Sequence, residues 1–297
     1  MPWRPRCRSV STAASASELG YRLGKGRPVG APFSYDEGFI HWGTMELRIL
    51  GCSGGEADGE RLTGLLVNGC VAIDAGSITA ALSVAEQVKI QHVFISHSHL
   101  DHICTLPFFT KNIFGHTHEA VEIHALPETL DVLRRHLFND ELWPDFSVIP
   151  SPNDPTIRYT EIQPEHTYHV CGMHITPIRV NHLVPCVGYK VDDGKDAFIF
   201  TSDTAETDRI WEVANATPNL RLVIAEASFP NEQAWLAEAS KHLTPAKLGA
   251  ELKKFRRDVP VRIYHLTPGD KATMLPQLQA LEDARVSLLA QDELLVW

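Results

Sequence analysis

Four side chains that can bind metal occur within six consecutive positions, at His97, His99, Asp101 and His102. They directly follow residues 93–95, a short apolar run that predicts a buried strand. Alternate side chains of an extended segment point the same way, so His97 and His99 can bind one ion while the following turn presents Asp101 and His102 to another. Imidazole and carboxylate ligands suit Zn²⁺, with Mn²⁺ or Fe²⁺ as alternatives. The spacing therefore predicts a site for two divalent ions.

Two ions held about 3.5–4 Å apart can convert a bridging water into hydroxide at neutral pH and can neutralise charge that grows on a phosphoryl group. The formal net charge of −10 argues against a broad basic surface for long nucleic acids, whose affinity comes mainly from Lys and Arg side chains. A small anionic substrate held by metal ions is compatible with this charge.

The segment 97–102, HSHLDH, resembles the HxHxDH signature of the metallo-β-lactamase superfamily, in the branch of class II cyclic-nucleotide phosphodiesterases and tRNA 3′-processing endonucleases. Three further landmarks follow in that family's order, each at the end of a predicted strand: His182, Asp203 and His265. Segments 51–55 and 73–76 also resemble the family's opening strands and turns. The resemblance spans roughly residues 47–265. It implies an α/β protein with the four-layer αββα metallo-β-lactamase fold.

The resemblance also implies which residues bind metal. The first ion would be held by His97, His99 and His182, the second by Asp101, His102 and His265, and both by Asp203. Asp101 is in addition grouped with the catalytic residues. Taken alone, a single histidine is more often structural than a ligand. The positions of these residues at strand ends, and their order in the chain, favour metal binding.

His242 begins the sequence His-Leu-Thr, which resembles the HxT element of the same branch. There the histidine faces the scissile phosphate, so the resemblance implies that His242 is a general acid or an electrostatic stabiliser of the leaving oxygen. The alternative is a helix-start histidine beside the cap Thr244. The tRNA-processing enzymes orient this histidine with a glutamate where this chain has Phe200, and Glu226 is the predicted substitute. Asp74 is predicted to support the histidine loop by hydrogen bonds.

Residues 1–44 differ from the rest of the chain. They contain six basic and three acidic residues and a Ser/Ala-rich stretch without hydrophobic periodicity, and removing them lowers the net charge from −10 to −13. This composition is typical of a disordered or loosely attached leader, and it resembles an organelle transit peptide. We favour over a transit peptide the interpretation that Met45 is the natural start and that the leader is an upstream extension. We predict an N-terminal extension over residues 1–44 and one catalytic domain over residues 45–297.

The predicted domain alternates strands and helices, which suits two packed sheets with helices outside. Strands are predicted at 47–50, 63–67, 71–73, 93–95, 121–124, 175–180, 187–191, 197–201, 222–225 and 261–265, and helices at 127–137, 206–214, 232–239, 244–255 and 272–281. Segment 139–164, rich in Pro, Asp and Asn, is predicted to be loop.

Composition also bears on the compartment. No apolar run approaches the roughly 18–20 residues that cross a bilayer, so we expect a soluble protein without a membrane partner. Six scattered cysteines without a CxxC pair indicate reduced thiols in the cytoplasm.

The sequence and the resemblance therefore predict a cytoplasmic phosphodiesterase that hydrolyses 3′,5′-cyclic nucleotides to 5′-nucleotides. It is predicted to use two divalent ions, with Zn²⁺ as the preferred metal. Only twenty residues separate His182 from Asp203, too few for the long insertion that often carries a tRNA-gripping arm, so tRNA 3′-processing ranks second. Thioester or lactam hydrolysis and a non-catalytic metal-binding scaffold are further alternatives. The sequence does not identify the exact substrate, the metal or the oligomeric state, and a homodimer is one possible state.

Overall fold

Two seven-stranded β-sheets are stacked in the computed structural model, which describes residues 43–117 and 119–297. The predicted extension over residues 1–44 lies outside the described residues except for its last two. That extension and the domain boundary therefore stay predictions. None of the helices in the described part of the chain combines the length and apolar character that a bilayer crossing needs.

The strands supply the layers on which the rest of the chain is built. In chain order they are β1 (Glu46–Gly51), β2 (Gly64–Val67), β3 (Val71–Ile73), β4 (His92–Phe94), β5 (Val121–Ala125), β6 (Pro150–Ser151), β7 (Asp154–Pro155), β8 (Ile157–Glu161), β9 (Tyr168–Val170), β10 (Met173–Arg179), β11 (Val187–Asp192), β12 (Ala197–Phe200), β13 (Leu220–Glu226), β14 (Val261–Tyr264), β15 (Val286–Leu288) and β16 (Leu294–Val296). The first sheet has the order β16-β1-β2-β3-β4-β5-β8 and the second has the order β15-β14-β13-β12-β11-β10-β9, while β6 and β7 form a small hairpin.

The helices flank the sheets. They are α1 (Ile78–Ala81), α2 (Val84–Gln87), α3 (Leu100–Ile103), α4 (Leu106–Ile113), α5 (Pro127–Val132), α6 (Arg209–Ala216), α7 (Ala234–Ser240), α8 (Pro245–Leu252) and α9 (Lys271–Gln279). A π-helical turn at Leu133–Leu137 extends α5, and 3₁₀ turns at Asn231–Gln233 and Pro268–Asp270 precede α7 and α9.

Three apolar clusters show how the layers pack. One lies between the sheets and joins Ile49 and Phe94 of the first sheet to Tyr189 of the second. Another covers the outer face of the first sheet with side chains of α1, α4 and α5, and a third covers the second sheet with side chains of α6, α8 and α9. Because side chains alternate between the two faces of a strand, each sheet contributes residues to the cluster between the sheets and to the cluster on its own outer face. The predicted four-layer αββα fold is confirmed.

Strand direction decides which loops meet. Strands β12, β13 and β14 are parallel, and β10 runs in the same direction because it and β12 both pair antiparallel with β11. The carboxyl ends of these strands therefore lie at one edge of the second sheet, the edge at which parallel sheets place their ligands. The loop after β4 of the first sheet meets them there, since Val187, which opens β11, donates its N–H to the carbonyl of Ser96.

The prediction of loop for segment 139–164 is wrong at β6, β7 and β8. Strand β8 pairs in parallel with β5 at the edge of the first sheet, and only Ile157 of its five residues is fully buried. One buried residue gives no alternating pattern, so pairing with β5 determines this strand. The helices α1 to α3 and the strands β9, β15 and β16 were also not predicted, because three- and four-residue elements carry almost no periodicity. Helix α4, which is eight residues long, was not predicted either.

Candidate metal centre

The histidine loop after β4 is anchored by one buried carboxylate. Asp74 follows β3, and its Oδ1 accepts a 2.8 Å hydrogen bond from the backbone N–H of Ser96. Its Oδ2 accepts hydrogen bonds from the Ser96 hydroxyl at 2.9 Å and from Nδ1 of His102 at 2.7 Å. The structure therefore places Asp74 at the base of this loop, where the sequence analysis expected hydrogen bonds from it.

The seven residues that the sequence analysis grouped as ligands come together in two clusters. Within each cluster, one possible ligand atom per residue lies within 4.8 Å of the others: His97, His99, His182 and Asp203 form the first cluster, and Asp101, His102, Asp203 and His265 form the second. Asp203 belongs to both. The grouping matches the predicted division between two ions, and metal binding by these residues stays a prediction.

Asp203 lies at the centre of these contacts. Its Oδ2 is 3.2 Å from Nε2 of His102, 3.2 Å from Nε2 of His265 and 3.7 Å from Nε2 of His97. Its Oδ1 accepts a 3.1 Å hydrogen bond from the hydroxyl of Tyr264. One carboxylate oxygen therefore faces three imidazoles while the other is fixed by a phenol.

Each of four imidazoles has one nitrogen held from outside and the other turned into a cluster. Nδ1 of His97 is 3.0 Å from Oγ of Ser96, Nδ1 of His102 bonds Asp74, Nδ1 of His182 donates to the Lys241 carbonyl at 3.0 Å, and Nδ1 of His265 is 3.0 Å from Oγ of Ser228. The inward atom Nε2 of His97 is buried and has no hydrogen-bond partner. Outer partners of this kind orient metal-binding histidines. A buried imidazole nitrogen without a hydrogen-bond partner is expected of a residue that binds a metal ion instead. The donor set therefore fits divalent metal ions.

Burial and charge set the protonation of these groups. Burial lowers the pKa of His97, His99 and His182, which keeps their imidazoles neutral and their lone pairs free. Burial also opposes charge on His102, but the carboxylates of Asp203 and Asp74 outweigh it and raise its pKa. Burial would raise the pKa of Asp203, yet His265 and His102 bring it well below its usual value. The carboxylate is therefore ionised at neutral pH.

His242 lies beside the clusters and is held by a buried acid. Its ring centroid is 5.0 Å from that of His182 and 5.3 Å from that of His265. Nδ1 of His242 donates a 2.9 Å hydrogen bond to Oε1 of Glu226, whose side chain is fully buried at the end of β13. Burial disfavours the charged imidazole, but the Glu226 carboxylate outweighs it and raises the pKa of His242 to about 9. Glu226 thus lies where the sequence analysis expected a partner for His242.

Two contacts of this site were not predicted from the sequence. The hydroxyl of Ser228 donates to Oε2 of Glu226 at 2.9 Å and lies 3.0 Å from Nδ1 of both His242 and His265. The hydroxyl of Tyr264 reaches Asp203. Nothing in the sequence marks either residue, although both stand one or two positions from a predicted site residue, at Glu226 and His265.

A glycine makes room for His265. The backbone of His265 has φ 68°, a left-handed conformation that is uncommon outside glycine. A Cβ atom added at Gly54 would lie 2.5 Å from the carbonyl oxygen of His265 and 2.7 Å from its Nδ1. Only glycine therefore allows the two backbones to approach this closely.

Comparison with known proteins places this geometry in context. The model of the beta-lactamase superfamily domain matches residues 66–289. A probable 3′,5′-cyclic-nucleotide phosphodiesterase of Yersinia pestis is 24% identical over 308 residues, which cover 84% of this chain and 88% of that protein. The structure of unliganded yeast PDE1 superposes with a TM-score of 0.71 at 19% identity, over 84% of this chain and 99% of that one. The structure of human tRNase Z, short form, superposes with a TM-score of 0.61 at 15% identity, over 84% of this chain and 98% of that one.

Proposed function

This chain belongs to the beta-lactamase superfamily and is a metal-dependent hydrolase, and within that family we propose that it hydrolyses 3′,5′-cyclic nucleotides to 5′-nucleotides. The observation that carries the proposal is the buried Glu226–His242 pair beside the two ligand clusters. An acyl substrate such as a thioester releases a thiolate, which departs without a proton from a histidine. The ribose 3′ oxygen of a cyclic nucleotide is a poor leaving group, and it needs a protonated group such as His242 to give it a proton.

We propose that the two clusters hold two divalent ions, with zinc as the first candidate. Bound there, the ions would supply an activated water and neutralise charge on the phosphoryl group. Asp203 belongs to both clusters and is the proposed shared ligand. Asp101, whose Oδ2 is 3.1 Å from Nε2 of His265, would complete the second set and lie among the catalytic groups.

His242 would act on the leaving group. Since Nδ1 is bonded to Glu226, Nε2 is the ring nitrogen that remains to give a proton. The raised pKa of His242 keeps that proton in place at neutral pH. In the proposed reaction a water oxygen forms the new bond to phosphorus as the P–O3′ bond breaks, and the departing 3′ oxygen takes the proton from His242. Before this transfer the Glu226 carboxylate stabilises the protonated imidazole.

The segment between His182 and Asp203 favours a small substrate over tRNA. It is filled by the hairpin of β11 and β12, whose turn spans only residues 193–196. The described residues between these two landmarks therefore contain no long arm that could grip an RNA helix. We propose that the substrate is a free nucleotide and that the protein works in the cytoplasm, where the free thiols of its described cysteines would stay reduced.

The test is metal analysis of the purified protein followed by assays on cyclic AMP, cyclic GMP, a tRNA precursor, a thioester and a β-lactam. Asp203→Ala serves as the matched inactive control. Formation of 5′-nucleotide from a cyclic nucleotide, lost in the control, is the expected result. Cleavage of the tRNA precursor alone would favour the endonuclease, and turnover of the acyl substrates alone would favour acyl hydrolysis. Bound metal without turnover would indicate a scaffold.

A further inference from the structure

Two exposed histidines face each other across the hairpin at the edge of the second sheet. His169 is the middle residue of β9 and His174 is the second residue of β10, and the antiparallel register of these strands places them directly opposite each other. Their ring centroids are 4.5 Å apart, and the ring planes lie at 77° to each other. Both side chains are exposed. One ion arriving from solvent could therefore contact both imidazoles.

The two imidazoles lie on the outer face of the sheet, away from the interior of the sandwich. Side chains alternate along a strand, and Met173 and Ile175, on either side of His174, are buried in the cluster between the sheets. The next pair along the outer face also has its side chains in contact, since Oγ1 of Thr167 lies 2.9 Å from Oγ1 of Thr176. Packing between the sheets therefore does not explain why imidazoles stand on this face.

A tight turn fixes the register of the pair. The hairpin reverses direction at Cys171 and Gly172, whose φ angles are 48° and 72°. Two-residue turns with both φ angles positive match the twist of the flanking strands. The residues that flank such a turn exchange hydrogen bonds, so the next pair, His169 and His174, is a non-hydrogen-bonded pair, whose Cα atoms are about 4.5 Å apart. The backbone thus brings the two imidazoles together before any ion binds.

This pair is separate from the candidate metal centre. His182 of that centre follows the carboxyl end of β10, whereas His174 lies near the amino end of the same strand. The five residue steps from His174 to Arg179 span roughly 17 Å at about 3.3 Å per residue. An ion bound at the hairpin would therefore add to the two proposed above, and it would not depend on the reaction proposed for them.

Two imidazoles favour a divalent transition ion. Nitrogen ligands of this kind suit Cu²⁺, Ni²⁺ and Zn²⁺, whereas Mg²⁺ and Ca²⁺ prefer oxygen. Within residues 43–117 and 119–297, groups of three or more possible ligand atoms within 4.8 Å of one another occur only at the candidate metal centre. Water would therefore fill the remaining positions around the ion. Since affinity for a given set of ligands is highest for Cu²⁺, we expect Cu²⁺ to bind more tightly than Zn²⁺.

The carboxylate in the same row of the sheet is already engaged. Asp192 of β11 pairs with His174 on the side away from β9. Its Oδ1 accepts hydrogen bonds from the N–H of Gly194 at 2.8 Å and from the side-chain amide of Asn219 at 3.0 Å, and its Oδ2 is 3.5 Å from Nζ of Lys190. These contacts hold the carboxylate at the end of its own strand. The two histidines are therefore the side chains that we expect to bind the ion.

We propose that His169 and His174 form a surface site for one divalent transition ion, which ties β9 to β10. Strand β9 is three residues long, lies at the edge of the second sheet and pairs with β10 alone among the described strands. Short elements with few partners are the parts of a fold that open most readily. An ion bound by one histidine from each strand would oppose this opening, so it should protect the backbone of β9.

The test starts from the full chain saturated with Zn²⁺ and then dialysed to remove excess metal. One equivalent of Cu²⁺ is added, bound copper and zinc are counted by mass spectrometry, and the copper ligands are read from the electron paramagnetic resonance spectrum. The wild type should bind one copper through two nitrogen ligands and keep its zinc. His174→Gln should bind copper at least about tenfold more weakly, since the loss of even a supporting partner of a metal ligand costs this much. His166→Gln is the matched control, because His166 is exposed in the same segment but its ring lies against Tyr168, at a centroid distance of 4.9 Å.

Hydrogen exchange provides a second measurement. Copper should slow exchange of the β9 amides in the wild type and in His166→Gln, but not in His174→Gln or His169→Gln. Both substituted positions are exposed, so these two variants should keep the wild-type melting temperature and zinc content before copper is added.

Four results would each overturn the proposal. They are copper taken up only in exchange for zinc, a sulfur ligand in the copper spectrum, one copper shared between two chains, and equal copper affinity in the wild type and His174→Gln. The first three are read in the wild type, so they do not depend on how the variants fold.

Discussion

Oε1 of Glu226 lies 2.9 Å from Nδ1 of His242, and this contact joins residues sixteen positions apart in the chain. The same carboxylate accepts hydrogen bonds from the backbone N–H groups of Thr204 and Leu243 at 2.9 and 3.2 Å. It is therefore fixed by the loop that carries Asp203 as well as by the start of the His242 segment. We therefore expect Glu226 to control both the orientation and the charge of the proposed acid.

Glu226→Gln should shift the pH profile of cyclic-nucleotide hydrolysis. His242 must carry a proton to act as an acid, and its folded pKa is raised, so activity is present below that pKa and is lost as pH rises through it. Removing the carboxylate charge should move this alkaline limb to lower pH by roughly 1–2 units. The measurement is kcat/KM against pH. A lower rate with an unmoved limb would mean that Glu226 only positions the ring.

His242→Ala and Asp203→Ala should separate catalysis from metal binding. Asp203 belongs to both clusters, so Asp203→Ala should lose metal together with activity. His242 belongs to neither cluster, so His242→Ala should keep its metal and lose about 10²–10⁴-fold in rate. Metal content by mass spectrometry and turnover of cyclic AMP are measured on the same preparations. Loss of metal in His242→Ala would make His242 a ligand instead.

The leaving group provides an independent check on His242. p-Nitrophenolate departs without a proton, so the rate loss in His242→Ala should shrink on bis(p-nitrophenyl) phosphate compared with cyclic AMP. Equal losses on the two substrates would contradict the role of general acid.

Gly54→Ala should disturb the cluster of possible metal ligands that contains His265, although Gly54 has no side chain to bind metal. The added methyl group would overlap the backbone and ring of His265, so that residue must move. We expect lower metal occupancy and a loss of activity, with Gly269→Ala as the matched control, because a Cβ at Gly269 meets nothing within 4 Å. The ratio of bound metal to protein decides the matter. Full occupancy and wild-type activity in Gly54→Ala would show that His265 is not held in this position.

His124→Phe should reduce the acid sensitivity of folding. The folded pKa of His124 is lowered to about 3, whereas the unfolded chain binds this proton near pH 6.5, so the unfolded state holds more protons between these values. The free energy of unfolding therefore falls as pH is lowered through this window, by up to about 1.4 kcal/mol per pH unit. The His124 ring stacks on Phe94 at a centroid distance of 4.2 Å, so phenylalanine removes the titrating group and keeps a ring in this position. Urea unfolding at several pH values measures the slope, and an unchanged slope would contradict the assignment.

The seven clustered residues could be singled out from the sequence because four of them follow β4 within one short segment and the other three follow later predicted strands, in the order of the family that the chain resembles. Their binding of metal stays a prediction. His182, Asp203 and His265 are isolated in the chain, and only the shared direction of β10, β12 and β14 brings them together. Ser228 could not be predicted, since a serine carries no signal until Glu226, His242 and His265 are seen around it.

Contacts between distant segments explain the other omissions. Strand β8 was missed because its place beside β5 determines its conformation more than its own residues do.

The loops that carry the seven clustered residues come from both sheets: His97 to His102 follow β4 of the first, whereas His182, Asp203 and His265 follow strands of the second. A bound ion would therefore join the two sheets, and the unfolded chain would have no such site. Ligand that binds only the folded state adds RT ln(1 + [L]/Kd) to stability, about 2.7 kcal/mol at a hundredfold excess over Kd. The melting temperature should therefore rise with the concentration of free metal. Measuring it across a metal titration would follow the occupancy of the proposed metal site without any substrate.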